Sequence, residues 1–133
     1  MLVFAVAGLL SCQRATTDKV TADQAHFTLE GDKQPPLKET DRWTSPNVYF
    51  HATLHNVPTD ASLTLDCEWT APDGQIAHRN HYDTRTITHD NWDTHCRNRF
   101  NPSSPPGTWT VAMSLEGRQL AKSSFELRAG AVK

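Results

Sequence analysis

The sequence predicts an all-β fold: a single antiparallel β-sandwich of about seven strands. Apolar side chains recur with a period of two along several segments, and turn residues interrupt the chain roughly every 8 to 14 positions, the rhythm of a sandwich. No stretch of useful length carries the 3.6-residue apolar period of an amphipathic helix.

In chain order, a weak strand signal lies around Phe27 to Glu30. Next, Val48, Phe50, Ala52 and Leu54 alternate with Tyr49, His51, Thr53 and His55, the pattern of a strand with one face in a core. Leu63, Leu65, Cys67 and Trp69 repeat it against Thr64, Asp66, Glu68 and Thr70. Weaker strands follow around Thr84 to His89 and Trp92 to Phe100, and a third firm one has Trp109, Val111, Met113 and Leu115 on its inner face. The last strand spans Gln119 to Leu127. There Leu120 and Phe125 are out of phase, so either a bulge intervenes or Leu120 belongs to the turn. Val57-Pro58-Thr59-Asp60 separates the first two firm strands. Ala71-Pro72-Asp73-Gly74 has the Pro and Gly positions of a type I turn, and Glu116-Gly117 suits a two-residue hairpin loop.

The chain opens MLVFAVAGLLSC and then turns polar. At about 1.5 Å per residue this run covers only about half of a ~30 Å hydrocarbon core, so it is too short to span. It has the length of a signal h-region ending in the small residue Ser11. Leu9-Leu10-Ser11-Cys12 resembles the lipobox of bacterial lipoproteins. The resemblance implies cleavage before Cys12, acylation of that cysteine, and stable anchoring by several acyl chains. With Gln13 next, it implies an address in the cell envelope, at the outer membrane facing the periplasm or the cell surface. The expected organisation is a signal peptide over residues 1–11, a polar tether over 12–23, a β-sandwich over 24–128 and a short tail over 129–133.

Thirteen Lys and Arg against fifteen Asp and Glu leave a formal net charge of −2, which argues against a dedicated nucleic-acid binder. With Cys12 assigned to lipid, Cys67 and Cys96 remain as an even pair in an oxidising compartment, and a disulfide between them is expected.

Pro105-Pro106-Gly107-Thr108-Trp109-Thr110-Val111, continuing through Leu115-Glu116-Gly117 to Ser124-Phe125-Glu126-Leu127, resembles the closing hairpin of bacterial envelope domains with immunoglobulin-like folds. Tyr49-Phe50 through Cys67-Glu68-Trp69 and Pro72-Asp73-Gly74 resembles the central strands of such domains. Antibody-type domains match poorly, because their core Trp lies well after the first inter-sheet cysteine whereas Trp69 follows Cys67 by two positions. The Cys67–Cys96 bridge is therefore expected to be local, joining neighbouring strands or a strand to an irregular stretch before Phe100.

Seven histidines stand out. His51 and His55 lie about 13 Å apart along one strand, too far to share a metal. His78 and His81, in an expected loop, could converge with His89 or His95 on zinc or copper, which take three or four such ligands. That is the alternative reading, beside one in which the histidines are solvated surface residues and no cofactor is bound. Asp66 and Glu68 share a strand face and could in principle act as an acid and base pair, but alternation turns that face to solvent, and no nucleophile elbow, HExxH or phosphate loop is present. The reading is non-catalytic. Trp69 and Trp109 read as core, whereas Trp43 and Trp92 lie beside loops and are the candidate binding residues for an envelope protein or glycan.

Overall fold

The computed structural model describes residues 17–29 and 36–130. Leu9-Leu10-Ser11-Cys12 and the signal segment lie outside the described residues. Among the described residues eight strands form two layers: β1 Thr21–Leu29, β2 Glu39–Asp41, β3 Asn47–His55, β4 Thr64–Thr70, β5 Ile76–Asp83, β6 Trp92–Arg99, β7 Gly107–Leu115 and β8 Arg118–Arg128. One sheet has the order β1-β3-β6 and the other β2-β8-β7-β4-β5. All pairings are antiparallel except the short β2, which runs parallel to β8. The ordered strands begin at Thr21, three residues before the expected domain start.

The alternating strands read from the sequence are β3, β4 and β7. Phe50, Trp69 and Val111 are each 0% exposed, so each strand turns its apolar side inward as the period of two requires. Between the layers, the rings of Phe27, Phe50, Trp69, Phe100, Trp109 and Phe125 touch one another at centroid separations of 4.8 to 6.5 Å. Burying rings of this size supplies a large share of the core's transfer free energy, beside aliphatic residues such as Leu54, Leu65, Val111 and Leu127.

The expected turns form. Gly74 N–H donates to Ala71 O at 2.9 Å, closing the Pro-Asp turn. Glu116 and Gly117 both have positive φ, 51° and 81°, as a type I′ hairpin demands. The phase break in the last strand is a bulge: Met113 pairs with Ala121 and Ser114 with Gln119, leaving Leu120 as the extra residue.

Three expectations are corrected. Ile76–Asp83, which includes the expected His78 and His81 loop, is strand β5. It lacks an apolar alternation because it is a sheet edge whose inward residues are His78, Asn80 and Tyr82, half-buried and paired by hydrogen bonds instead of by packing. Thr84 to His89, expected as a strand, is irregular. Only Thr84 and Ile87 are buried there, tied by their N–H groups to Leu63 O and Ala61 O, because this segment carries the chain from one sheet to the other. Finally, Cys67 lies on β4 and Cys96 on β6, so the disulfide spans the two sheets and is not local. Short spacing in sequence concealed this because the crossover between β5 and β6 changes layer within those 29 positions.

Candidate binding face

The outward side of the three-stranded sheet is built by the same alternation that makes the core. On β3, Val48, Phe50, Ala52 and Leu54 point in, so Tyr49, His51, Thr53 and His55 point out. On β6, Thr94 and Cys96 are buried while Asp93, His95, Arg97 and Arg99 are exposed. The register then decides which outward residues meet. His26 on β1 pairs with His51 on β3, and His51 pairs with His95 on β6, so three imidazoles stand in one row across three strands.

A one-residue bulge between Asp23 and His26 makes this row possible, with Gln24 at φ 54°. Such a bulge re-aims the side chains that follow it. The ring of His26 stacks on that of His51 at 4.8 Å with planes 11° apart, and His51 lies 5.6 Å from His95. Tyr49 completes the cluster, edge-on to His95 at 5.4 Å. Two local bonds hold the rings: His26 Nδ1–H donates to Gln24 O at 2.6 Å, and His51 Nε2 meets Thr28 Oγ1 at 2.7 Å. The result is a contiguous, partly exposed row of rings packed against one another.

At the margin of this face, β6 stands opposite β5, the edge of the other sheet. The two edges are tied by Asn80 Nδ2–H donating to Arg97 O at 3.0 Å and by the hydroxyls of Tyr82 and Thr94 at 2.7 Å. Burial pushes the Tyr82 phenol up to about 12, so it stays protonated across the physiological range. Above these ties runs a groove of about 480 Å³ whose walls include Tyr49, Arg79, His81, His95 and Arg97.

On the far side of β5, register sets Asp66 against His81 and Glu68 against Arg79. His81 Nδ1 lies 2.5 Å from Asp66 Oδ1, and Arg79 Nε donates to Glu68 Oε2 at 3.2 Å. The hydrogen bond to Asp66, helped by its charge, raises the His81 pKa above the usual imidazole range. His55 is raised too, first by its hydrogen bond to Asp23 and then by that to Asn91. The two carboxylates read as a possible acid and base pair are thus engaged in separate cross-strand pairs, and with Arg79 and His81 they line a recess of about 400 Å³.

No family model matches the chain, and no curated protein does. Solved structures do resemble it. An immunoglobulin-like protein from Pseudomonas aeruginosa superposes with a TM-score of 0.58 at 16% identity, over 83% of this chain and 97% of the other. The fold is immunoglobulin-like. A Pseudomonas fluorescens alkylpurine DNA glycosylase, AlkC, bound to DNA containing an abasic-site analogue, superposes with the same TM-score at 17% identity over 83% of this chain. The immunoglobulin-like domain spans only 30% of that glycosylase chain.

On this immunoglobulin-like domain the candidates read from the sequence are dispersed. Trp43 stands 38% exposed in the 3-10 turn Arg42–Thr44, with the Arg42 guanidinium 5.9 Å from its ring centroid. Trp92 opens β6 opposite Leu54 and is half-buried against the core. The two tryptophans therefore lie near opposite ends of β3, roughly 20 Å apart by strand rise. Of the four candidate histidines, His81 and His95 line the same groove from the two sheets, whereas His78 lies on the opposite face of β5 from His81 and His89 is in the crossover. Among the described residues no three His, Cys, Asp or Glu side chains gather as a metal site. The stacked His26 and His51 keep their ring lone pairs in parallel, separated planes, so they do not chelate either, and the zinc or copper reading is not favoured.

Sequence reasoning missed the row of His26, His51 and His95. The surplus of histidine was the available signal. What joins those three is strand register plus the bulge at Gln24, and neither is a local pattern.

Proposed function

We propose that the chain is a membrane-anchored lipoprotein of the bacterial cell envelope. Its immunoglobulin-like domain acts there as a non-catalytic binding or accessory module for a protein or glycan partner. The observation that carries this reading is the outward face of the three-stranded sheet, where Tyr49, His26, His51 and His95 form a contiguous surface of rings. Rings on a rigid strand scaffold bind at low entropic cost and suit both sugar faces and protein anchors. Asp66 and Glu68 support the non-catalytic part, since each is held by its own basic partner and the two do not share a proton. Likeness to a DNA-bound glycosylase at 17% identity carries the fold and no substrate, and the net charge of −2 weighs against a nucleic-acid partner.

Crosslinking in envelope membranes followed by capture of the full chain should enrich one partner. Tyr49→Ala on the ring face, or Trp43→Ala on the exposed turn, should weaken that capture; enrichment indifferent to every exposed ring would overturn the reading. The anchor is tested separately by mass spectrometry of the mature N-terminus, where acylated Cys12 is expected and an unmodified different first residue refutes it.

A further inference from the structure

The groove between β5 and β6 has a one-sided charge. Arg79 and Arg97 bring guanidinium charge to its lining beside the imidazoles of His81 and His95, and among the described residues no Asp or Glu lines it. Arg79 and His81 have carboxylate partners on β4, outside the groove. Arg97 differs. Its guanidinium meets the Tyr49 hydroxyl at 3.4 Å, and it takes part in no ion pair among the described residues. An exposed guanidinium beside a phenol and an imidazole set edge-on to one another combines a fork for a carboxylate with surfaces for the face of a ring.

Resting on the reading of the domain as a binding module, we propose that this groove binds an acidic saccharide, its carboxylate on Arg97 and a sugar ring against Tyr49 and His95. The geometry selects a saccharide over an acidic peptide. A peptide adding itself as a strand between β5 and β6 would need about 4.8 Å from each edge. Cα atoms of β5 and β6 come within 8 Å of each other, less than the ~9.6 Å that an inserted strand would need, and Asn80 and Tyr82 already bridge the two edges. The ligand lies across the mouth of the groove, where the Arg97 fork stands beside Tyr49 and His95 and where the histidine row continues the surface onto β3 and β1.

The test is calorimetric titration of the full chain, at low salt, with a galacturonate oligosaccharide, with its carboxyl-reduced counterpart and with a glutamate-rich peptide. Saturable binding of the galacturonate is expected, weakened about tenfold or more by carboxyl reduction and to a similar degree by Arg97→Gln, as loss of a charge-assisted fork implies. Arg128→Gln, which removes a guanidinium paired with Glu39 at the far edge, should leave binding unchanged. Arg97 is exposed, so its variant should melt like the parent protein. No saturable binding, equal binding by Arg97→Gln, equal binding of the reduced sugar, or tighter binding of the peptide each overturns the proposal. If the groove fails while crosslinking still captures an envelope partner, the binding-module reading stands without it; failure of both removes both.

Discussion

Asn80 occupies a position where an edge strand would ordinarily show the core an apolar side chain, and both ends of its amide are used. Its Oδ1 accepts from Trp69 Nε1–H at 2.7 Å and its Nδ2–H donates to Arg97 O at 3.0 Å. Asn80→Leu would keep the branching of the side chain and leave the indole N–H of a fully buried Trp69 without its acceptor. The expected loss is about 1 to 3 kcal/mol, read as a lower urea midpoint at unchanged m-value. His55 and His81 carry the pH response at this scale. Their folded pKa values lie above 6.5 because Asp23 and Asp66 favour the imidazolium. Each therefore adds stability that is complete below pH 6.5 and disappears as pH rises through the raised folded value. Proton NMR should find both imidazoles titrating above the usual range, with Asp23→Asn returning His55 and Asp66→Asn returning His81 toward it. Titration of either one unchanged by its variant would refute the assignment of cause.

At the scale of elements, the β7–β8 hairpin shows turn chemistry setting register. Leu115 pairs with Arg118 across Glu116-Gly117, and the type I′ geometry holds only with both central residues at positive φ. Gly117→Ala has open space around its new Cβ, so its cost is conformational alone, about 1 to 2 kcal/mol. Gly107→Ala should cost more, because φ is 132° and a Cβ there would stand 2.8 Å from Pro72 Cγ. Thermal unfolding should rank the two in that order. β5 shows the limit of pattern reading: His78, Asn80 and Tyr82 alternate as faithfully as Phe50 and Leu54 do, but in polar residues, so the period is invisible to a hydrophobic scan. Its outward Arg79, His81 and Asp83 are the charged residues that discourage pairing of an open edge with another chain.

Across the whole molecule, Cys67 and Cys96 fasten one layer to the other near the side where β5 and β6 meet through side-chain hydrogen bonds. Closing a loop of 29 positions is worth about 3 to 4 kcal/mol in the chain-entropy account. The double variant Cys67→Ala/Cys96→Ala should lower the unfolding free energy by about that amount while keeping the β-sheet circular dichroism of the parent, because the six-ring core does not depend on the bridge. Collapse of the spectrum would show instead that the core cannot hold the layers alone.

The sequence by itself determined the layers and their sidedness. Phe50, Trp69 and Val111 face inward because a strand has a period of two and these residues gain by leaving water. Ala71 to Gly74 and Glu116-Gly117 turn because Pro72 fixes its φ and Gly74 and Gly117 accept the positive φ that other residues resist. Tertiary structure alone decided which outward residues became neighbours. His26, His51 and His95 are far apart in the chain, and their row follows from register, a bulge at Gln24 and the adjacency of β1, β3 and β6. The groove beside Arg97 likewise exists because the chain changes sheets between β5 and β6. Burial is a property each residue carries with it, whereas a binding surface is a relation among strands that only their pairing creates.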